Sequence, residues 1–268
     1  MTNQEVTSLH SPQVERVKAL LGSRGKKIRN TDHVFVADGM QSIRSALRPK
    51  TEFAPHIQKI FVTAEGRLKL ESEFPREIGD HDVVNVSDAV MNAMTDTQSP
   101  QGVLALCKYM PHDLSSLASI GKTKKIAYFW QLQDPGNAGT AIRTADACGF
   151  DAVIFSDLSV DIFSPKVVRS TAGSLWHIPV VEGIALESIV EWGAGKSILA
   201  FYGTGETSLL DIQVTDEVIL IFGNEARGLP ELPELTEGVK TVSIPMKGFA
   251  ESFNVASAAA IAMFHVSH

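Results

Sequence analysis

Cysteine is scarce in this chain, and several other features are missing altogether. The 268 residues include two cysteines, Cys107 and Cys148, and neither has a neighbour at a metal-binding spacing. We therefore expect reduced thiols in a cytoplasmic protein, with no metal site. No apolar run approaches the roughly 18 residues that cross a bilayer. The first residues also lack the basic and then apolar pattern of a signal peptide, so no membrane partner is expected.

Positive charge is also in short supply, and it is distributed unevenly. The formal net charge is −7. Residues 1–110 contain 14 Lys and Arg against 13 Asp and Glu, whereas the rest of the chain contains 10 against 18. This balance argues against a protein that coats nucleic acid nonspecifically. Any site for a polyanion must therefore be a local patch.

The best candidate for such a patch is a basic stretch near the N-terminus. Arg24, Lys26, Lys27 and Arg29 fall within six residues of one another. Four cations at this spacing are typical of a solvated turn, but they also suit a loop that contacts RNA phosphates. Both interpretations are open at this point.

Strand-like and helix-like segments alternate along the chain, which predicts an α/β protein. Residues 111–124 are short of large apolar side chains, and the charge balance changes there. We therefore predict a smaller N-terminal α/β domain over residues 1–110, a linker over 111–124 and a second domain over 125–268. The second domain has at least five strands, mostly separated by helices. This pattern favours a parallel sheet that is covered on both faces.

Three strands of the second domain are followed by glycine-rich polar loops. These loops are residues 134–139, 223–228 and 245–254. Ligands bind at the carboxyl ends of parallel strands, so we expect the three loops to converge on one site. The less specific interpretation is that the glycines only form turns. Likewise, Ser252 and Asn254 could simply cap the Ala-rich helix that follows.

A dinucleotide site is the first alternative to test. It needs Gly-x-Gly-x-x-Gly after the first strand and an acidic residue about 20 positions later. Gly136 and Gly139 lack the triple spacing, and Gly203 and Gly205 are not followed by the third glycine. A nucleotide or small-molecule enzyme on a doubly wound sheet therefore remains only a rival hypothesis.

The three loops, in this order, resemble the three motifs of the SpoU (TrmH-type) family of RNA ribose 2′-O-methyltransferases, within the SPOUT superfamily. The matching strings are DPGNAGTAIRTA at 134–145, LIFGNEARGL at 220–229, and IPM through ESFNV over 244–255. The string RSTAGSLWHIP at 169–179 resembles the middle segment of the family. Residues 11–107 resemble, more weakly, the substrate-binding domain that is often fused in front. The family more often has Glu at the position of Asp38 and Leu at that of Phe253.

The resemblance implies a specific fold and cofactor. The second domain would be a SPOUT α/β-knot, a parallel sheet with a C-terminal trefoil knot. The family uses S-adenosyl-L-methionine and works as a homodimer, with the site near the dimer interface. The residues that would hold the cofactor are, through backbone groups, Gly203, Gly223, Ile244 and Met246, with Phe253 nearby.

The resemblance also implies the catalytic residues. Arg143 would act on the ribose 2′-hydroxyl, and the residues around it would be Asn137, Glu225, Ser252 and Asn254. A guanidinium stays protonated at neutral pH, so Arg143 could instead clamp the adjacent phosphate and orient the ribose. It lies about one turn after Asn137, and we expect both to face one pocket. Glu225 could also merely pair with Arg227 or brace a loop, and Arg143 could be a surface cation.

The predicted activity is methyl transfer to an RNA 2′-hydroxyl, with ribosomal RNA favoured as the partner because of the fused front domain. In that case Arg24, Lys26, Lys27 and Arg29 would contact RNA phosphates. One alternative is a transfer RNA 2′-O-methyltransferase. Another is a non-catalytic RNA-binding or assembly factor that kept the fold.

Overall fold

The computed structural model describes residues 5–49, 51–213, 216–230 and 238–268. They divide into two compact units, and each is considered by itself. The first unit comprises the described part of residues 1–111 together with Asp161–His177. The second comprises His112–Val160 and the described part of Ile178–His268. The predicted boundaries had placed 161–177 with the second domain, so the units differ from them at this segment.

The helices and strands follow the alternation that the sequence predicts. In chain order up to residue 119 they are α1 (Pro12–Leu21), α2 (Gly25–Asp32), β1 (Val34–Asp38), α3 (Met40–Leu47), β2 (His56–Val62), α4 (Ala64–Glu73), β3 (Val83–Asn85), α5 (Asp88–Ala93), β4 (Val103–Lys108) and α6 (Leu114–Ser119). From residue 125 they are β5 (Lys125–Phe129), α7 (Pro135–Ala147), β6 (Ala152–Phe155), α8 (Pro165–Ser170), β7 (Val180–Val181), α9 (Leu186–Trp192), β8 (Ser197–Phe201), β9 (Thr207–Ser208), β10 (Val218–Phe222), β11 (Val239–Ser243) and α10 (Val255–His265).

The first unit is an α/β layer around a mixed sheet with strand order β1-β4-β2-β3. Strand β4 is antiparallel to both β1 and β2, while β2 and β3 are parallel. Its core consists of aliphatic and aromatic side chains from the sheet, α1 and α5, among them Val17, Phe61 and Met91. This arrangement confirms the predicted small α/β domain.

The basic stretch 24–29 is largely helical, which corrects the predicted turn or loop. Arg24 is at the N-cap position of α2, and the next three residues with cationic side chains lie within the helix. Gly25 is necessary here because a Cβ would lie 2.2 Å from the carbonyl oxygen of Leu20. The stretch therefore packs against α1 and leaves Arg24, Lys26 and Lys27 exposed.

Arg29 is buried, which removes it from the candidate phosphate contacts. Its Nε and Nη2 donate to Asp161 Oδ2 at 3.0 and 2.5 Å, and its Nη1 donates to the carbonyl oxygen of Leu20. Both charged side chains are 7% exposed. A buried charge is tolerated when it is paired and hydrogen-bonded, so Arg29 stabilises the first unit.

The segment 161–177 is integrated into the first unit by aromatic packing as well. Phe163 stacks on Tyr109 with ring centroids 3.7 Å apart, and Trp176 lies 5.9 Å from Phe35. The wholly buried Trp176 is the largest of these side chains. A stretch that resembles the family's methyltransferase sequence therefore completes the core of the N-terminal unit.

The predicted linker over 111–124 contains a short ordered helix. Asp113 and Ser116 form a reciprocal capping box at the start of α6. Leu117 on this helix is fully buried in the core of the second unit. The stretch is poor in large apolar residues, as expected of a linker, but the cap and one leucine suffice to fix it.

The second unit is built on a sheet in which the described strands follow the order β7-β6-β5-β10-β8-β11-β9. Every described pairing in it is parallel. The central strands β5, β6 and β10 are buried along almost their whole length, as predicted for a sheet covered on both faces. The parallel sheet is confirmed, and the trefoil knot stays a prediction.

Two helices rich in small residues pack against each other on the second unit. Helix α7 buries Ala138, Ala141 and Ala145, and α10 buries Ala259 and Ala262. Small side chains allow the two helices to approach closely. The opposite side of α10 is not covered, because Ile261 is 39% and Phe264 is 61% exposed. In the part of the chain that the structure describes, no helix has the length and apolar character to cross a bilayer.

Candidate active site

The three predicted segments meet at one edge of the parallel sheet, but the first is not a turn, because α7 begins at Pro135 with Asp134 as its N-cap, so residues 135–139 are helical. They follow strands β5, β10 and β11, and β8 separates the last two. Glu225, from the loop after β10, accepts hydrogen bonds from the backbone N–H of Gln133 at 3.2 Å and of Asp134 at 3.0 Å. Convergence at the carboxyl ends of the strands is therefore as expected for an α/β sheet.

The side-chain amide of Asn137, in the first turn of α7, connects this helix to the loops after β10 and β11. Its Nδ2 donates to Glu225 Oε1 at 3.2 Å, and its Oδ1 accepts from Asn254 Nδ2 at 3.1 Å. Asp134 holds Asn137 in place, since its Oδ1 caps α7 by accepting the backbone N–H of Asn137 at 2.8 Å. Glu225, Asn137 and Asn254 thus form a continuous polar chain, which we call the amide–carboxylate chain.

The surroundings of Glu225 determine its charge. Partial burial raises the pKa of this carboxyl, but four hydrogen bonds outweigh it: those from the backbone N–H groups of Asp134, Glu225 itself and Gln133, and that from the Asn137 amide. The pKa of Glu225 therefore lies below its ordinary value. The side chain remains a carboxylate at neutral pH and acts as a hydrogen-bond acceptor.

Asn254 has two functions that the sequence presented as alternatives. Its Oδ1 caps α10 by accepting the backbone N–H groups of Ala256 at 2.9 Å and Ser257 at 3.3 Å. Its Nδ2 simultaneously reaches Asn137. Capping fixes the rotamer of Asn254, and the cap therefore positions the amide for the site.

The loop after β10 is fixed by Asn224 and two glycines. Asn224 Nδ2 donates to the carbonyl oxygen of Gln131 at 2.7 Å, which attaches the loop to the end of β5. A Cβ on Gly223 would lie 2.3 Å from the carbonyl carbon of Gly228, so only glycine fits at that position. Gly228 has a φ of +67°, a conformation that also favours glycine.

A cavity of about 590 Å³ opens beside the amide–carboxylate chain. All five residues predicted to hold the cofactor line it, namely Gly203, Gly223, Ile244, Met246 and Phe253. Glu225, Ser252 and Asn254 line it as well. The structure therefore places eight of the predicted site residues around one cavity.

Arg143 is placed differently from the prediction. Its side chain is exposed on α7 and is not among the residues that line the cavity. It follows Asn137 by six positions, and six residues of an α-helix turn through about 240°. The two side chains therefore lie on different faces of α7, and the expectation that both face one pocket within one chain is wrong.

Arg227 is a site residue whose surroundings the sequence did not reveal. The sequence suggested a pair with Glu225, but Arg227 Nη2 instead donates to Gln131 Oε1 at 2.7 Å. Its guanidinium carbon lies 5.8 Å from the ring centroid of Trp130. The sequence signal that could have identified Arg227 as a site residue is its position two residues after Glu225, in the same loop.

The chain matches two known families, and together they cover most of its length. The SpoU rRNA Methylase family matches residues 124–264. The MRM3-like substrate binding domain matches residues 12–105.

Individual proteins resemble the chain over nearly its full length. The 23S rRNA (guanosine(2553)-2′-O)-methyltransferase RlmP of Bacillus subtilis (strain 168) is 34% identical over 263 residues, which are 96% of this chain and 98% of that protein. A crystal structure of an AdoMet-bound rRNA methyltransferase from Sinorhizobium meliloti is similar with a TM-score of 0.82 and 29% identity, over 98% of this chain and 97% of the other. The SpoU methyltransferase AviRb from Streptomyces viridochromogenes, in complex with AdoMet, gives a TM-score of 0.82 and 25% identity, over 96% and 97% of the two chains. On these matches, the chain belongs to the SpoU rRNA methylase family.

Proposed function

We propose that this chain is an S-adenosyl-L-methionine-dependent methyltransferase that modifies a ribose 2′-hydroxyl of ribosomal RNA. One observation carries the proposal: the cavity lined by the predicted cofactor residues adjoins the chain Glu225–Asn137–Asn254. The relatives support it, since RlmP and a further relative, from Streptomyces viridochromogenes, are named as 23S rRNA 2′-O-methyltransferases.

The residues around the cavity fit the cofactor. A volume of about 590 Å³ lies within the usual range for ligand pockets. Phe222, Ile244, Met246 and Phe253 provide apolar surface for an adenine ring. Gly223 lines the cavity without a side chain of its own. When bound, S-adenosylmethionine supplies an electrophilic methyl group whose thioether leaves without needing a proton.

The protein's own part in the reaction is alignment. The ribose oxygen must attack in line with the methyl group, and the hydroxyl proton must be released. Correct alignment alone can contribute about 7–11 kcal/mol. We assign ribose positioning to Asn137, Ser252 and Asn254, and assign to Glu225 the fixing of the Asn137 amide. A guanidinium offers only N–H donors, so we assign to Arg143 the clamping of the phosphate next to the ribose, and the proton of the 2′-hydroxyl passes to phosphate or solvent.

The position of Arg143 supports a site shared between two copies. It does not line the cavity of its own chain, whereas the uncovered apolar side of α10, with Ile261 and Phe264, suits a self-complementary contact. Leu210, which is 72% exposed, lies in the same apolar groove as these two residues. We therefore propose a homodimer in which Arg143 of the partner subunit completes the site.

Replacing Arg143 by alanine tests the catalytic part of the proposal. We expect Arg143→Ala to reduce methyl transfer by about 10²–10⁴-fold, because the ribose loses its clamp. Affinity for S-adenosylhomocysteine, measured by calorimetry, should stay within about twofold, since we assign Arg143 to the RNA phosphate and not to the cofactor. Transfer is measured as single-turnover methylation of ribosomal RNA. Near-normal turnover would remove Arg143 from the mechanism.

Mixing two inactive variants tests whether Arg143 acts across the dimer. When an Arg143→Ala dimer and a Glu225→Gln dimer exchange subunits, mixed dimers form. Each mixed dimer keeps one intact site if Arg143 acts on the partner subunit. Random exchange then restores about a quarter of the wild-type rate. If Arg143 acts within its own chain, the mixture stays inactive.

The alternatives predict different results for the unmodified protein. A non-catalytic assembly factor would bind RNA but no S-adenosylhomocysteine. A transfer RNA enzyme would methylate transfer RNA faster than ribosomal RNA. Mapping ribose methylation in total RNA from cells with and without the gene identifies the substrate. Activity on ribosomal RNA would also place the protein in the cytoplasm, as we propose.

A further inference from the structure

The guanidinium of Arg227 is held at the cavity by groups from another loop. Asn224 Oδ1 accepts the backbone N–H of Arg227 at 3.1 Å, which fixes the main chain. The side chain is oriented by Gln131 Oε1 at 2.7 Å and by the face of Trp130. An arginine on an aromatic ring with one N–H engaged is pre-organised, and its other N–H groups stay available for a ligand.

Among the described residues that line the cavity, only Glu225 and Arg227 carry a charge. The Glu225 carboxylate is already engaged by the N–H groups of Gln133 and Asp134 and by the Asn137 amide. The Arg227 guanidinium has no carboxylate partner in the described part of the chain. As far as the described residues go, the cavity wall therefore presents one positive charge without a counter-ion, and a bound anion would supply it.

We propose that Arg227 binds the carboxylate of the amino-acid half of S-adenosylmethionine. This inference rests on the proposed function and adds a specific anchor to it. The planar fork of a guanidinium matches a carboxylate in a bidentate geometry. Gln131 is then a positioning residue, because it orients the fork without contacting the ligand.

The anchor has a consequence for methyl transfer. The loops after β8 and β11, with Gly203, Ile244 and Met246, would hold the nucleoside half of the ligand, and Arg227 would hold the other end. Fixing both ends defines the direction of the methyl group between them. Loss of the anchor should therefore lower the rate as well as the affinity.

Two related ligands separate this role from others. S-adenosylhomocysteine has the carboxylate, and 5′-methylthioadenosine lacks the whole amino-acid part, yet both contain a neutral thioether on the same nucleoside. Calorimetry on the full chain measures the affinity of each for wild-type protein, Arg227→Gln and Arg227→Lys. We expect Arg227→Gln to weaken S-adenosylhomocysteine by about 10–100-fold. Methylthioadenosine affinity should change less than about twofold, and Arg227→Lys should be intermediate because an ammonium keeps the charge without the fork.

Lys196 provides a matched control. Its ammonium also lies 5.8 Å from the centroid of an indole, that of Trp192, and it precedes β8 at the opposite edge of the sheet. Lys196→Gln removes one charge and one cation–π contact from the second unit, as Arg227→Gln does, and it also removes the ion pair between Lys196 and Glu217 at 2.7 Å. It should leave the affinity for both ligands unchanged.

Each other outcome overturns the inference. Equal weakening of both ligands by Arg227→Gln would mean that Arg227 only shapes its loop. Unchanged affinity for both, with weaker RNA binding, would place Arg227 on an RNA phosphate instead. If wild-type protein binds neither ligand, the proposed function fails together with the anchor. If wild-type protein binds both ligands and Arg227→Gln does not change the ratio of the two affinities, only the anchor fails.

Discussion

Two arginines, one in each unit, show what decides whether a cation serves structure or function. Arg29 lies in the basic stretch that the sequence made a candidate for RNA contact, but it is buried against Asp161 and the Leu20 carbonyl. Arg227 looked like a partner for a neighbouring glutamate, yet it lies at a cavity with a glutamine and an indole. The first charge is neutralised by a carboxylate, whereas no described residue provides one for the second.

The polar centres around these arginines differ in the same way. In the first unit a charged pair with 7% exposed side chains completes the core beside Phe163 and Tyr109. In the second unit the amide–carboxylate chain borders a cavity and stays accessible. The first centre should therefore affect stability when it is altered, and the second should affect ligand binding and rate.

Breaking the buried pair should give the largest effect. Arg29→Ala leaves Asp161 charged and buried, and we expect it to destabilise the first unit by about 3–5 kcal/mol. Urea unfolding followed by tryptophan fluorescence measures this, because Trp176 is buried in that unit. Replacing both partners with apolar residues, in Arg29→Met with Asp161→Leu, should recover most of the loss.

An exposed pair in the same unit is the control for this experiment. Arg16 and Asp32 join α1 and α2 at 2.5 Å, with side chains 38% and 37% exposed. Arg16→Ala should cost less than about 1 kcal/mol, since water screens this pair. Equal costs for Arg29→Ala and Arg16→Ala would contradict the structural role assigned to Arg29.

Altering Glu225 should affect rate more than stability. In the wild-type protein the donors around Glu225 bind its carboxylate oxygens. Glu225→Gln replaces one of these oxygens by an NH₂ group, which cannot accept, so the Asn137 amide loses its orientation. We expect methyl transfer to fall by about 100-fold. Glu251→Gln, an exposed carboxylate in the loop after β11, is the matched control and should have little effect. If both variants lose methyl transfer to a similar extent, the loss results from the change in charge alone and not from the contacts of Glu225.

The pH dependence of the same site has a definite sign. Because the folded pKa of Glu225 is lowered, its stabilisation of the loop is complete above the ordinary value of 4.5 and is lost as the pH falls through the folded pKa. Amide hydrogen exchange at Gln133 and Asp134 should therefore stay protected from pH 7 to pH 5 and lose protection only in more acidic solution. Loss of protection near pH 6 would contradict this assignment.

The exposed cations of α2 should give the smallest effect. Arg24→Ala with Lys27→Ala should make the slope of log affinity for RNA against log salt shallower, by about one for each phosphate that the protein no longer neutralises. S-adenosylhomocysteine affinity should not change. Lys69→Ala, on α4 and paired with Glu65, is the control. A slope that does not change would exclude this stretch as a phosphate-contacting surface.

The sequence predicted the strands, two of the three loops and most of the cavity, because these depend on local patterns. Glycine after a strand and asparagine at a helix start are short-range signals, and they located Gly223 and Asn254. The cofactor residues then followed from the family resemblance, and the structure places all five at one cavity.

Other features depend on contacts that no local pattern contains. Arg29 is buried because its partner, Asp161, lies 132 positions later in the chain. The six-residue step from Asn137 to Arg143 changes the helix face, and this was misjudged as about one turn. The helix at 114–119 depends on a capping box and on the burial of Leu117 in the core of the second unit. That burial could not be seen in the sequence.

The path of the backbone between the units has a practical meaning for protein engineering. The chain leaves the first unit after Pro111, returns at Asp161 and leaves again after His177. A gene fragment that stops at residue 111 would lack Trp176 and the carboxylate that neutralises Arg29. Recombination at that point could not exchange the front module between enzymes intact. A chimera that exchanges the whole first unit would have to transplant two separate pieces of coding sequence together.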